Sequence, residues 1–207
     1  MLTEKFVASR GGACAKMNAF LKKLRQFDKL YFTISDLLKI GAFTRGSLYV
    51  TLSRLVQRKE LMRLTGGVYI LPEKFSQIDL VGNALYQPSY LSFESALSRY
   101  GLLSQVPYTL TFATTRKSYR VRVSNIEIEY RKIREDLFFG YKQAGSLLIA
   151  SRAKAVIDSL YFVSFGKASV TLDDLDLRSL DRALMTRLAR KFPDKTQRLL
   201  TKVLNKM

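Results

Sequence analysis

The basic side chains of this sequence are the residues that indicate most about its binding chemistry. The 207 residues contain 35 Lys and Arg against 17 Asp and Glu, which gives a net charge of +18. Histidine is absent and cysteine occurs once, so Ser-His-Asp and Cys-His catalysis and almost all zinc sites are excluded. Such a surplus of cations attracts polyanions, either nucleic acids or anionic membrane surfaces. We expect a non-enzymatic, phosphate-binding protein with no cofactor and no metal.

The residues best suited to contact nucleic acid lie between Thr33 and Pro72. On a helix predicted over residues 45–59, the small side chains Gly46, Ser47 and Ser53 share one outer face. Small side chains let a helix approach a groove closely, and arginines can reach guanine edges or phosphates. The alternative is a structural helix-and-hairpin unit with a solvated basic face. We expect contacts with double-stranded DNA from Thr44, Arg45, Ser47, Tyr49, Val50, Arg54, Arg58, Arg63, Thr65, Gly66 and Tyr69.

Two helices are predicted to position these residues. Thr33 and Asp36 have the spacing of a capping box, which begins a short helix running to residue 40. Gly41 is a natural C-cap for that helix. Thr44 then caps the helix over residues 45–59, whose inward stripe consists of Leu48, Leu52, Leu55 and Val56.

A hairpin is predicted directly after the second helix. The apolar and β-branched stretches 61–64 and 68–71 flank a tight Thr65-Gly66-Gly67 turn, and Pro72 ends the unit. Two helices followed by such a hairpin indicate a winged helix-turn-helix, which lays its second helix in the major groove of DNA.

A second basic stretch runs from Arg116 to Arg122. On a strand, alternation places Arg120 and Arg122 on one face, while Arg116 and Lys117 precede it. The functional interpretation is a second polyanion surface made by these four residues. The alternative is a solvated strand face whose charges deter aggregation.

The carboxylates Glu127, Glu129, Glu135 and Asp136 cluster near that stretch and raise the hypothesis of a magnesium-dependent nuclease. A restriction-type site has Glu-x-Lys on a strand, whereas Arg131 stands at the lysine position here. We therefore favour charge balancing of the nearby arginines.

The remaining sequence predicts a two-domain α+β protein, with residues 1–75 as the winged helix-turn-helix domain. Each part carries a net charge of +9, from 14 basic and 5 acidic residues up to residue 75 and 21 and 12 after it. A first helix is predicted over residues 14–28. Residues 76–207 are predicted to form a small, mainly antiparallel sheet packed with helices and a helical C-terminus. Its strands are expected at 108–114, 119–123, 126–131, 138–141 and 147–149, and its helices at 80–85, 93–100, 152–162, 175–191 and 195–204.

Two further patterns bear on compartment and on capping. No apolar run approaches the length of a membrane span or of a signal-peptide core, so we expect a cytoplasmic protein without a membrane partner. Near the predicted helix at 175, Asp174 or Asp176 is expected to serve as the N-cap rather than as a metal ligand.

The sequence resembles the AbiEi-type antitoxins and related predicted transcriptional regulators over residues 15–165. The similar segments are YLSFESALSRYGLLSQVP (90–107), TFATTRK, LFFGY and LLIASRAKAVIDSLY, with a winged helix before them. One departure is that the family usually has Pro-Glu-Lys-Ala where this chain has Arg152-Ala153-Lys154-Ala155 after Ser151. The glutamate of that motif is missing.

This resemblance implies the antitoxin half of a type IV toxin–antitoxin pair linked to abortive infection by phage. It implies repression of the protein's own operon by operator binding, with inverted repeats as a candidate operator form. The toxin it implies is a nucleotidyltransferase-like protein, which the second domain counters with or without a tight complex. A stand-alone regulator without a toxin remains the alternative.

Overall fold

The computed structural model describes residues 15–105, 107–123, 126–168 and 175–205. The chain divides into two compact units, the first ending at Ile78 and the second beginning at Asp79. Among the described residues, no helix has the length and apolar character needed to cross a membrane. The fold is α+β, with helices and a separate sheet in each unit.

The first unit contains three helices and a three-stranded sheet in its described part. Helix α1 covers residues 15–25, and the chain then turns, with Gln26 N–H donating to the Lys23 carbonyl, so the predicted extension to residue 28 is wrong. Residue 14, its predicted start, lies outside the described residues. The other elements are β1 (Phe32–Thr33), α2 (Ile34–Gly41), α3 (Arg45–Gln57), β2 (Met62–Thr65), β3 (Val68–Ile70) and a 3-10 helix (Pro72–Gln77).

The capping box predicted for α2 is confirmed. The Thr33 hydroxyl accepts from Asp36 N–H, and the Asp36 carboxylate accepts from Thr33 N–H at 2.9 Å. The predicted C-cap is wrong, because Ala42 rather than Gly41 adopts the left-handed conformation. Gly41 is the last residue of α2, and a Cβ there would lie 2.3 Å from a Phe43 ring carbon. Its role is to let aromatic rings pack against the backbone.

The β2–β3 hairpin forms with its turn at Gly66-Gly67, and a third strand joins it. β1 pairs antiparallel with β3, giving the order β1-β3-β2. The sequence did not predict β1, since two residues are too short to show an alternating pattern. A hydrophobic core from α1, α2, α3 and the sheet holds the unit together; among its members are Leu24, Phe32, Leu37, Leu48, Leu52, Leu55, Leu61 and Tyr69.

The second unit is built on a six-stranded mixed sheet. Its strands are β4 (Ser89–Leu91), β5 (Thr109–Thr114), β6 (Tyr119–Val123), β7 (Ile126–Lys132), β8 (Tyr141–Ala144) and β9 (Leu147–Ala150), in the order β6-β7-β5-β4-β9-β8. The β5–β7 and β4–β9 pairings are parallel and the other three are antiparallel. The two parallel pairings were not predicted, because they join strands that do not follow one another in sequence.

Two strand assignments also differ from the sequence prediction. β4 is not among the predicted strands, although its three residues are all buried. The strand predicted at 138–141 begins only at Tyr141, because a 3-10 turn at Glu135–Leu137 precedes it and Gly140 has a φ of 73°. Residues 124–125, between the strands predicted at 119–123 and 126–131, lie outside the described residues.

The helices of this unit are α4 (Ile78–Leu85), α5 (Phe93–Arg99), α6 (Arg152–Ser164), α7 (Arg182–Ala189) and α8 (Asp194–Asn205). α6 packs against α5, α7, α8 and β9, and most of its residues are buried. The helix predicted from 175 begins only at Arg182. Leu175 bridges to Leu103 and is extended, which delays the helix.

The N-cap of α7 is Asp181 rather than Asp174 or Asp176. The Asp181 carboxylate accepts from Ala183 and Leu184 N–H at 2.8 and 3.1 Å. Asp176 instead pairs with the Arg178 guanidinium. Asp174 lies outside the described residues.

Candidate nucleic-acid interface

Helix α3 presents the candidate contact face, and its own sequence fixes its start and orientation. The Thr44 hydroxyl accepts from Ser47 N–H at 3.3 Å, and the Ser47 hydroxyl donates to the Thr44 carbonyl at 3.0 Å. Leu48, Leu52 and Leu55 are fully buried and anchor the opposite side of the helix. This combination of cap and apolar stripe forces the intervening residues outward.

The outward residues of α3 are those expected from its periodicity. All of them are exposed: Arg45, Gly46, Ser47, Tyr49, Val50, Ser53, Arg54 and Gln57. Tyr49 and Val50 are 47% and 52% exposed, which is unusual for large apolar side chains in adjacent positions. A Cβ on Gly46 would meet no atom within 4 Å, so the surface there is flat and open.

The hairpin lies beside α3 and shares a surface cleft with it. Tyr49 lines this cleft from α3, and Arg63, Gly66 and Gly67 line it from the hairpin. Gly67 has a φ of 81°, and its carbonyl accepts from Ile34 N–H at 3.0 Å. The turn is thereby tied to the start of α2, which fixes its position relative to α3.

The charged side chain that lines the cleft is Arg63, and no carboxylate of the described residues lines it. α3 contains Arg45 and Arg54 and no acidic residue. The nearest carboxylate of the α2 start, Asp36, is engaged by Lys29 and by Thr33. Burial opposes ionisation of Asp36, but hydrogen bonds from Lys29 and Thr33 outweigh it and lower its pKa to about 2.

Three predicted contact residues differ in environment from the exposed residues of α3. Tyr69 is only 5% exposed and belongs to the core, although it also lines the cleft between Tyr49 and the hairpin. Arg58 is exposed but follows the end of α3 as its C-cap. Thr65 is half-buried in β2, whereas Arg63 on the same strand is exposed.

The second basic stretch divides into two environments. Arg120 is exposed on the edge strand β6, and its guanidinium donates to the Glu129 carboxylate at 3.0 Å. Arg122 lies opposite Glu127 on the same face. Arg116 lies over the Tyr86 ring, 4.2 Å from its centroid, and Lys117 is exposed beside it. These four cations lie on or directly before the edge strand β6, and Arg120 and Arg122 lie opposite carboxylates of β7.

Two of the four acidic residues of the nuclease hypothesis, Glu129 and Asp136, are held by arginines. Glu129 accepts from both Arg120 and Arg131, and Asp136 pairs with Arg134. Burial raises the pKa of Glu129, but Arg131 and Arg120 outweigh burial and hold it below its usual range. Across the part of the chain that is described, no group of three acidic or thiol side chains is arranged to hold a metal ion.

A buried ionic cluster that the sequence reading missed connects α6 to β4. Lys154 and Asp158 form an ion pair with 0% side-chain exposure. Asp158 also accepts from the Tyr90 hydroxyl at 3.0 Å and from the Ser92 hydroxyl at 2.8 Å. Burial lowers the pKa of Lys154 against the attraction of Asp158, and burial together with Asp158 raises that of Tyr90.

The sequence contains one pattern that indicates this cluster, which is the spacing of its two charged residues. Lys154 and Asp158 stand one helical turn apart in a run otherwise made of Ala, Val and Ile. Charged residues on an apolar helix face require a partner. The cluster is closed to solvent and supports the packing of the second unit.

Comparisons with known proteins assign no family to this chain. No model of a known protein family matches it, and no curated protein is a significant match.

Proposed function

We propose that this protein is a DNA-binding transcriptional repressor whose first unit is a winged helix-turn-helix. In this proposal α2 and α3 form the helix-turn-helix and the β2–β3 hairpin is the wing. The observation that carries it is the cleft shared by α3 and the hairpin turn, bordered by Tyr49, Arg63, Gly66 and Gly67. A recognition helix and a wing lie side by side in this way to engage a groove and the adjacent backbone.

The residue types on α3 support insertion into the major groove. Arg54 on the outer face and Arg45 at the first turn carry guanidinium groups that can pair with guanine edges or phosphates. Val50 offers an apolar contact suited to a thymine methyl group. The small Gly46, Ser47 and Ser53 allow the helix backbone to come close to the bases.

The wing contributes contacts of a different kind. Arg63 is exposed on β2, and the turn at Gly66 presents backbone without a side chain. Such groups contact phosphates, which position a protein on DNA without reading its sequence. In our proposal α3 therefore recognises the base sequence, and the wing fixes the position of the protein along the DNA.

The resemblance to the AbiEi-type antitoxins extends the proposal to a biological role. In that role the protein represses its own operon and counters a nucleotidyltransferase-like toxin. The segments from residue 90 to residue 161 support this extension, since they carry most of the resemblance. A stand-alone repressor is the outcome if no toxin accompanies the protein.

Selection of DNA from a random duplex library tests the first part of the proposal. The full chain is incubated with the library at about 0.15 M salt, and bound duplexes are amplified and sequenced. We expect enrichment of one motif, with binding at least about 10³-fold tighter than to unrelated duplex DNA. Recovery of duplexes without any enriched motif would overturn the proposal of a sequence-specific repressor.

Co-expression tests the antitoxin role separately. The gene next to the one encoding this chain is expressed alone and together with it, and growth is recorded. Growth arrest that this chain relieves supports the antitoxin role. If the neighbouring product is harmless, the repressor stands alone and the antitoxin extension fails.

A further inference from the structure

Helix α7 carries a basic groove on its exposed side, formed by residues that have no role assigned above. The groove is lined by Arg182, Ala183, Thr186, Arg187 and Arg190. All five are exposed, and they follow one face of the helix along two turns. The face opposite them is anchored by Met185 and Ala189, which are buried.

The charge of this groove is not compensated by nearby carboxylates. Arg187 and Arg190 form no ion pair or hydrogen bond with any other described residue, unlike Arg131, Arg134 and Arg178, which pair with acidic residues. The Arg182 guanidinium donates to the Leu204 carbonyl at 2.8 Å. This bond fixes the side chain at the groove, and because a carbonyl is neutral it does not cancel the positive charge. From Asp181 to Asn205 the chain has seven basic and two acidic residues.

The two carboxylates of that segment do not neutralise the groove. Asp181 is occupied in capping the N-terminus of α7. Asp194 lies in the first turn of α8, where a negative charge is favoured by the helix itself. Arg187 and Arg190 thus present their charge to solvent.

The composition of the groove favours a polyanion over a protein partner. Protein interfaces have apolar cores with aromatic anchors. The exposed large hydrophobic residues among those described are Phe27, Tyr49, Val50, Tyr108, Tyr119, Tyr141 and Phe165, and none is on α7. Between the arginines lie only Ala183 and Thr186, whose small size leaves room for a backbone of phosphates.

We infer that α7 binds the phosphate backbone of double-stranded DNA, as a second contact surface additional to α3 and the wing. The choice of DNA rests on the function proposed above. Arg182 and Arg190 are eight residues apart, so their Cα atoms are about 12 Å apart along the helix axis. One DNA strand carries a charge about every 3.4 Å along its axis, so a backbone segment of a few phosphates spans the groove. The contact adds affinity without sequence preference.

The test measures the salt dependence of binding to a duplex that lacks the enriched motif. The full-length variant Arg187→Gln/Arg190→Gln is compared with Lys132→Gln/Lys142→Gln, which removes the same charge from exposed positions elsewhere in the second unit. Loss of two phosphate contacts lowers the slope of log K against log salt by about 1.8. If the binding curves converge at 1 M salt, affinity at 0.1 M falls roughly 60-fold in the α7 variant. The control retains nearly the native slope.

Three results separate the alternatives. Equal slope changes in the two variants, or an unchanged slope in the α7 variant, would overturn the inference. An equal loss of binding to a poly-glutamate peptide and to DNA would overturn it in favour of an acidic protein partner. If circular dichroism shows that the double α7 variant is unfolded, the single Arg187→Gln variant is used in its place. It should show about half of the slope change.

Failure of the proposed function gives a different pattern. In that case the full chain enriches no DNA motif, while the α7 variant still shows the smaller salt slope. The converse outcome is that the native chain and the α7 variant enrich the same motif equally well and show the same salt slope. That result refutes only the role of α7.

Discussion

Removal of the Lys154 amine, in the variant Lys154→Met, is predicted to destabilise the second unit. Asp158 would then be a buried carboxylate without its cationic partner, because both side chains have 0% exposure. The Tyr90 and Ser92 hydroxyls would still donate to it, at 3.0 and 2.8 Å. Breaking a buried ion pair by removing one partner costs about 3–5 kcal/mol. The two remaining hydrogen bonds place the expected loss near the lower end, at about 3 kcal/mol.

The complementary variant Asp158→Asn leaves the ammonium group unpaired. The Lys154 amine would keep the Tyr90 hydroxyl at 2.8 Å and the rings of Phe139 and Phe192, whose centroids lie 5.1 and 5.2 Å away. A loss of about 3–5 kcal/mol is again expected. The double variant buries no charge, so it should lose only about 1–2 kcal/mol, far less than the sum of the two single changes.

Urea unfolding of the full chain, followed by far-ultraviolet circular dichroism, measures these differences. With a slope of about 1–3 kcal/mol per molar urea, the midpoint of the second unit should fall by about 1–3 M in the Lys154→Met variant. Because the chain has two units, their transitions are fitted separately where they do not coincide. An unchanged midpoint in Lys154→Met, or a double variant that loses the full sum, would refute the reasoning.

Three further predictions concern the first unit. The pKa of Asp36 is lowered from 3.8 to about 2, so its contribution to the free energy of unfolding is present above pH 3.8 and is lost as the pH falls from there towards 2. The variant Asp36→Asn should therefore lose about 1–2 kcal/mol of stability at neutral pH. An acid-unfolding curve of this variant as steep as that of the native chain would contradict this. Gly67→Ala should cost about 1–2 kcal/mol in thermal unfolding, because Gly67 has a φ of 81° and its Cβ would lie 3.2 Å from Ile34. Gly66→Ala, with open space around it, should be neutral, and equal effects at the two positions would count against the turn geometry. Gly41→Ala should cost about 1–3 kcal/mol, since the new Cβ would overlap the Phe43 ring, and a native melting temperature would show that the ring moves freely.

Local signals made the first unit largely predictable from the sequence. The caps at Thr33 and Thr44 and the Leu48, Leu52 and Leu55 stripe each act within a few residues, and the structure has them as expected. The ends of elements were less predictable, because neighbours distant in sequence decide them. Gly41 illustrates this, since a Cβ there would meet the ring of Phe20, which is 21 residues earlier, as well as that of the nearby Phe43.

The second unit depends more on long-range pairing, which the sequence does not display. β4 is three residues long and is defined by its partners β5 and β9. The α7 start is delayed by the bridge between Leu103 and Leu175, which are 72 residues apart in sequence. Tyr69 is buried in the core of the first unit, on a strand that pairs with both β1 and β2, and its sequence neighbours do not show this burial.

The central claim is that α3 reads DNA through its exposed face, and one binding measurement tests it most directly. The full-length variant Arg45→Ala/Arg54→Ala is titrated with the enriched duplex and with an unrelated duplex. The control Lys22→Ala/Lys39→Ala removes the same charge from exposed positions on α1 and α2. Each arginine–base pair contributes about 1–3 kcal/mol, so the α3 variant should bind the enriched duplex at least about 30-fold more weakly and lose its preference. The control should keep that preference. Native affinity and native preference in the α3 variant would contradict the account.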